Sequence, residues 1–169
     1  HLREGSAGFG AELGHAMVKA DDEGPSCSCG HHGHLEAFSS GTGIAKYVDA
    51  RLKDPETESS LRSSVNRNAT AIAEAARAGD PLAISAYERA GHYLGVGISS
   101  FLHTFNPSIV ILGGGVSQSR DLFWKVFEAS LRANVFNPAY LENLVVTTAA
   151  VDGVVAVAAK GLVVSSKTG

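Results

Sequence analysis

The sequence predicts an α/β domain, and three observations carry that expectation. Two apolar runs of strand length, "SIVIL" at 108–112 and "LVVTTAAV" at 144–151, lack the alternation of a half-solvated strand. The first is preceded by the longest helix candidate of the chain, opened by Asp80-Pro81 and closed by Asn106-Pro107. Each run is followed by a segment with helical spacing, so the order is helix, strand, helix, strand, helix, which builds a sheet covered by helices.

The elements follow in order. Residues 1–11, "HLREGSAGFGA", are glycine-rich and form a loop whose backbone can approach a ligand closely. "ELGHAMV" offers a short strand ending near Val18, and residues 19–34 carry no periodic apolar pattern. A loop of that length inside a compact domain is functional or stapled. Leu35, Phe38, Ile44, Val48 and Leu52 recur at helical spacing, with Gly41 and Gly43 weakening the helix enough to split it. Residues 53–65 contain Pro55 and are polar, a connector. The alanine-rich stretch 66–79 is a helix ended by Gly79.

The long helix from Asp80-Pro81 has Leu82, Tyr87, Leu94, Ile98 and Leu102 on its buried side. Gly91, Gly95 and Gly97 inside it imply close approach of another backbone or a ligand. After the first strand, Leu122, Phe123, Val126 and Leu131 mark an amphipathic helix over 119–133. "LVVTTAAV" is a second buried strand, and Asp152 caps a last helix through about Val164.

Composition excludes several classes of function. The chain has 169 residues, enough for one domain with a proper core, with 44% hydrophobic and 18% charged residues. A net charge of −3 gives no basic footprint for nucleic acid or an anionic membrane. No stretch approaches the ~20 apolar residues of a spanning helix, and the N-terminus has no apolar signal core. The two cysteines, one residue apart, are too close for a relaxed disulfide, so reduced thiols and a cytoplasmic location are expected. The chain starts at His1 and not at Met, so it is read as a fragment or a processed product.

The segment "SCSCGHHGHLEAF" at 26–38 concentrates the chemistry. It holds both cysteines and three of the seven histidines. Zinc takes thiolate and imidazole in tetrahedral sites, and a structural site uses four protein ligands. Cys27, Cys29 and His34 supply three, Gly30 and Gly33 let the chain turn back, and His15 ahead of the loop supplies the fourth. His31 or His32 can substitute for His34. The competing reading is a solvated loop whose thiols happen to be neighbours; a redox pair fits less well, because the spacing is not C-x-x-C.

Two carboxylates flank this set, Glu12 three residues before His15 and Glu36 two after His34. Paired carboxylates suit recognition of sugar hydroxyls, whose O–H groups donate to them. Equally, Glu36 can be an ordinary acidic residue of a helix's first turn. Gly113, Gly114 and Gly115, between strand and helix, are a place for phosphate or nucleotide or a plain turn, and match no phosphate-loop or dinucleotide fingerprint.

"EGSAGFGAELGH", "CSCGHHGHLEAFSSG" and "NPSIVILGGGV", in that order, together resemble the C-terminal lobe of the ROK family of sugar kinases and repressors, most of all its N-acylmannosamine kinases and glucokinases. The resemblance implies the actin-like (hexokinase/ribonuclease H-like) ATPase fold with a zinc-binding loop. It divides the chain into a zinc loop at 15–34, a helical segment at 35–106 and a strand–helix nucleotide-side core at 107–169, the N-terminal lobe being absent. It implies that Glu12 and Glu36 hold sugar hydroxyls, that His15 both ligates zinc and touches the sugar, and that Ile109 to Gly115 lie near the adenosine of ATP.

Implied ligands are a hexose or N-acylhexosamine, ATP with Mg2+, and structural Zn2+; a homo-oligomer is compatible. The implied reaction moves the γ-phosphoryl group of ATP to a sugar hydroxyl. The aspartate base and the phosphate-binding turn belong to the absent lobe, so no catalytic residue is assigned in this chain. Where the family usually has cysteine this chain has His34, which makes the site less negative by one charge. A sugar-sensing effector lobe of a ROK repressor and an inactive kinase-like module are the alternatives.

Overall fold

The computed structural model describes residues 5–21, 24–149 and 156–158. The helical layer comes first in the chain. Helix α1 spans Leu35–Ser39 and α2 spans Gly41–Arg51, the break falling at Ser40, whose hydroxyl accepts from the Gly43 amide to start α2. The split expected from Gly41 and Gly43 is therefore present. Helix α3 is Ala69–Arg77, capped by the Asn68 side chain, with Gly79 at φ +92° after it.

Helix α4, Pro81–Phe105, is the spine of the domain. Asp80 caps it by accepting from the Ala83 amide, and Asn106 ends it in the left-handed conformation, φ +42°. Its buried side includes Leu82, Tyr87, Ile98 and Leu102, while Leu94 is only half-buried. Strand β1, Ile109–Leu112, leads into a 3-10 helix at Gly115–Ser119 and then α5, Arg120–Asn134. A short α6, Ala139–Glu142, precedes β2, Val145–Thr148, and β3 is Ala156–Ala158. The sheet order is β2-β1-β3, with β1 and β2 parallel in the register Ile109–Val145, and β1 and β3 antiparallel.

The interior glycines of α4 explain how α5 seats on it. A Cβ on Gly91 would lie 2.6 Å from the Phe123 carbonyl oxygen, and one on Gly95 2.6 Å from Ser130 Cβ. A Cβ on Gly97 would lie 2.7 Å from Leu35 Cδ2 of α1. Polar cross-ties accompany this close packing: Ser130 Oγ donates to the His92 carbonyl at 2.7 Å, and Ser39 Oγ to that of Ala90 at 2.9 Å. Phe127, Tyr87, Ile44 and Ile72 fill the space between the helices. On the flank, Arg89 lies over the rings of Phe38, Tyr47 and Tyr93, at 4.4, 4.7 and 5.6 Å. Among the described residues no helix is long and apolar enough to cross a membrane.

Three sequence expectations are corrected. "ELGHAMV" is not a strand but a 3-10 helix at Leu13–His15, followed by one isolated bridge, Met17 to His34. A Cβ added to Gly14 would lie 3.6 Å from that of Glu36, and the Val18 and Lys19 amides both donate to the one Gly33 carbonyl, so the ladder does not continue past the bridge. Strand β2 is not fully buried: Val145 is half exposed, and β2 is an edge strand of the sheet formed by the described residues. The helix expected after Asp152 is replaced at 156–158 by β3; Asp152 and the rest of that segment lie outside the described residues.

Candidate metal and sugar site

The loop between His15 and Leu35 is closed by backbone bonds at both ends. At its base the Leu35 amide donates to Ala16 (2.9 Å), and the Val18 and Lys19 amides donate to Gly33 (2.9 and 3.2 Å). At its tip the Cys27 amide donates to His31 (2.7 Å) and the Gly30 amide to Cys27 (3.2 Å). Gly33 occupies the crossing: its φ is +75°, its amide donates to Pro25, and any Cβ would run into the Lys19 carbonyl. This fold-back returns the cysteines of the tip onto the histidines of the base.

The four residues expected to bind metal are brought together. One donor atom each from His15, Cys27, Cys29 and His34 lies within 4.8 Å of every other. Cys27 Sγ is 3.6 Å from His15 Nδ1, and Cys29 Sγ is 3.2 Å from His34 Nδ1. Around tetrahedral zinc a nitrogen–sulfur edge is ~3.5 Å and a sulfur–sulfur edge ~3.8 Å. The donor set and its spacing fit such an ion with shifts of a few tenths of an ångström along the two measured edges. Cys27 is buried and His34 only 9% exposed, while Cys29 opens to solvent.

The Cys29 thiol is lowered to about 6, first by the backbone amide of His31, then by the side chains of His31, Cys27 and His34, with burial acting the other way. A thiol held in that range presents the thiolate a metal requires. His31, which stands outside the four, also turns its Nδ1 to Cys29 Sγ, at 3.7 Å, and stacks on His34 with ring centres 5.6 Å apart.

Glu36 adjoins this cluster. Its Oε1 accepts a 2.8 Å hydrogen bond from Ser28 Oγ, the residue between the two cysteines. It sits in the first turn of α1, with Gly14 of the 3-10 helix against it. Glu12, at the start of that 3-10 helix, is exposed, and its side chain makes no capping hydrogen bond there. Ser28 was not singled out by sequence reasoning. A serine between cysteines carries no signal of its own, and its partner lies eight residues away across the loop.

Gly113, Gly114 and Gly115 lie elsewhere, beyond α2. Gly114 has φ +87°, and among the described residues a side chain added at Gly114 or Gly115 would meet nothing within 4 Å. Its continuation touches the start of α2: a Cβ on Gly41 would be 3.8 Å from Val116 Cγ2. The Ser117 hydroxyl closes the turn on the Gly114 carbonyl at 2.7 Å.

The chain is an α/β protein that carries a Cys/His loop beside a carboxylate at a helix start. The particular family is the ROK family, to which the chain belongs: the ROK family match covers residues 1–163. A glucokinase of Thermotoga maritima is 35% identical over 127 residues, which are 73% of this chain and 39% of that protein. A xylose repressor of Bacillus subtilis is 30% identical over 137 residues, 81% of this chain and 32% of the repressor. Among solved structures, a ROK family glucokinase from Streptomyces griseus in complex with glucose and AMPPNP superimposes with a TM-score of 0.75 at 31% identity, covering 90% of this chain and 50% of that one. The chain thus spans about a third to two fifths of the length of these two curated relatives.

Proposed function

We propose that this chain is the sugar-reading lobe of an ATP-dependent hexose kinase of the glucose or N-acylmannosamine class. The single observation that supports the reading is the hydrogen bond from Ser28, between the two cysteines of the metal-donor loop, to the Glu36 carboxylate. Glu12 and Glu36 accept hydrogen bonds from sugar hydroxyls, and His15 bounds the same space while donating its other edge to the cluster. His15, Cys27, Cys29 and His34 hold the zinc, which as a closed four-ligand ion supplies loop shape and no open position for substrate.

The Gly113–Gly115 turn is the nucleotide side in this reading. Glu36 and Gly41 are five residues apart, so at most about 18 Å of extended chain separates the sugar carboxylate from the helix start that the turn abuts. That span suits a nucleotide and a hexose in one cleft. Phosphoryl transfer depends chiefly on positioning and charge stabilisation, and positioning is what these residues provide. The division into zinc loop 15–34, helical segment 35–106 and nucleotide-side core 107–169 belongs to this proposal. So does a cytoplasmic place for the protein.

A second reading, the effector lobe of a ROK repressor, is favoured by the xylose repressor match at similar identity. Calorimetric titration of the metal-loaded chain with glucose and N-acetylmannosamine, with Glu36→Gln as comparison, tests the shared claim. Binding lost by at least about tenfold in the variant is expected; equal binding to both proteins removes Glu36 from the sugar site. Binding of a non-hydrolysable ATP analogue then separates the readings. Its presence in a chain that binds sugar decides for the kinase.

A further inference from the structure

Two imidazoles in this loop address the same sulfur. His34 Nδ1 is 3.2 Å and His31 Nδ1 is 3.7 Å from Cys29 Sγ, and these values bracket the ~3.5 Å nitrogen–sulfur edge of tetrahedral zinc. Their rings stack at 5.6 Å and 24°, side by side on one corner of the donor set. They differ in setting. His34 is buried and its backbone is pinned to Met17, whereas His31 is exposed at the tip of the turn. The other nearby imidazole, His32, is committed elsewhere, its Nδ1 lying 3.0 Å from the Gly24 carbonyl oxygen.

We propose that His31 is a second, solvent-side ligand for the corner that His34 occupies, so that the ion enters on Cys29 and His31 and is passed inward to His34. The inference rests on the metal reading of the loop given above. Its consequence is a centre with five donors for four positions, in which loss of the buried imidazole is covered by the exposed one. The exchange moves no electrons: one nitrogen–metal bond forms as another breaks, both imidazoles remaining neutral donors.

The test uses cobalt(II) alone as probe, added to the 169-residue chain and followed by its thiolate charge-transfer absorption. Wild type and His34→Ala are expected to take up one ion per chain, with affinity in the variant lowered no more than about tenfold. His31→Ala/His34→Ala is expected to fall at least about tenfold further, while His32→Ala/His34→Ala matches His34→Ala. If His34→Ala loses cobalt as completely as the His31→Ala/His34→Ala variant, the inference is overturned and the metal reading stands. If wild type takes up none, the metal reading falls too. Should His34→Ala not fold by circular dichroism, His31→Ala alone decides: cobalt uptake slowed about tenfold at unchanged stoichiometry supports the inference, and uptake at the wild-type rate overturns it.

Discussion

Asp80 joins two elements, and its replacement provides a quantitative test of the fold. Its Oδ1 accepts the Ala83 amide at 2.9 Å and so caps α4. Its Oδ2 accepts from the Ser59 hydroxyl, the Ser60 amide and the Ser60 hydroxyl at 2.9, 2.7 and 2.8 Å, which ties the connector to the helix. In Asp80→Ala the lost cap costs about 1 kcal/mol. The three bonds to Oδ2 add about 2 kcal/mol together, less than three isolated charged bonds, because Ser60 is exposed and its donors find water. The sum, about 3 kcal/mol, corresponds to a fall in Tm of roughly 6–12 °C for a chain of this length.

Burial pushes the Asp80 carboxyl up, but the hydrogen bonds from Ala83, Ser60 and Ser59 outweigh it and hold the group below its ordinary 3.8. A depressed folded-state value means the contribution is complete above about pH 5 and is lost as pH falls through 3.8 and then through the folded value. Urea unfolding of wild type, Asp80→Asn and Asp80→Ala at pH 7 and pH 3 checks both parts. The gap between wild type and Asp80→Asn should narrow at pH 3, since protonated aspartate resembles asparagine. A loss below about 0.5 kcal/mol in Asp80→Ala, or a gap constant with pH, refutes the reasoning.

Two other outcomes are expected. Gly95→Ala places a Cβ 2.6 Å from Ser130 Cβ and 2.7 Å from the Leu131 amide nitrogen, so α4 and α5 must separate; about 1–3 kcal/mol of lost stability in chemical unfolding is expected, and a neutral result would mean the helices pack less closely. Chelation of the metal-loaded chain should raise amide exchange in residues 24–34 well before that of α4, because only the loop depends on the ion; uniform acceleration through α4 would show that the ion holds the whole fold.

What was legible in the sequence follows from the range of the forces involved. Helix α4 was readable at both ends because Asp80-Pro81 and Asn106-Pro107 act on neighbours within one turn. The convergence of His15, Cys27, Cys29 and His34 was readable because thiolate and imidazole in a short glycine-bearing loop have few other uses. The loop's entry was not: "ELGHAMV" has strand-like composition, yet Gly14 against Glu36 and the crossing at Gly33 decide its shape from outside the segment. Burial of β2 was misjudged because an apolar run says nothing of which strand lies at the edge. Ser28 was invisible as a partner since its role comes from the fold-back, and the sequence offered His31 and His32 alike as substitutes for His34 until the closed loop turned His31 to Cys29 and His32 to Gly24.

That fold-back also accounts for the placement of the candidate metal donors close to Glu36. Among the described loop residues, only Cys27 contributes a buried hydrophobic side chain, so hydrophobic burial does little to hold the tip. Ordered backbone without a core costs about 1–2 kcal/mol per residue, and the few amide bonds at base and tip offset a small part of it. The remainder falls to the donor cluster. Ser28 lies between two of those donors and donates to Glu36, so in the proposed reading closing the cluster also orients the carboxylate. A substitution at Cys27 or Cys29 is therefore expected to weaken sugar recognition through Glu36 without touching the sugar, and a change at Ser28 to do so with the metal retained.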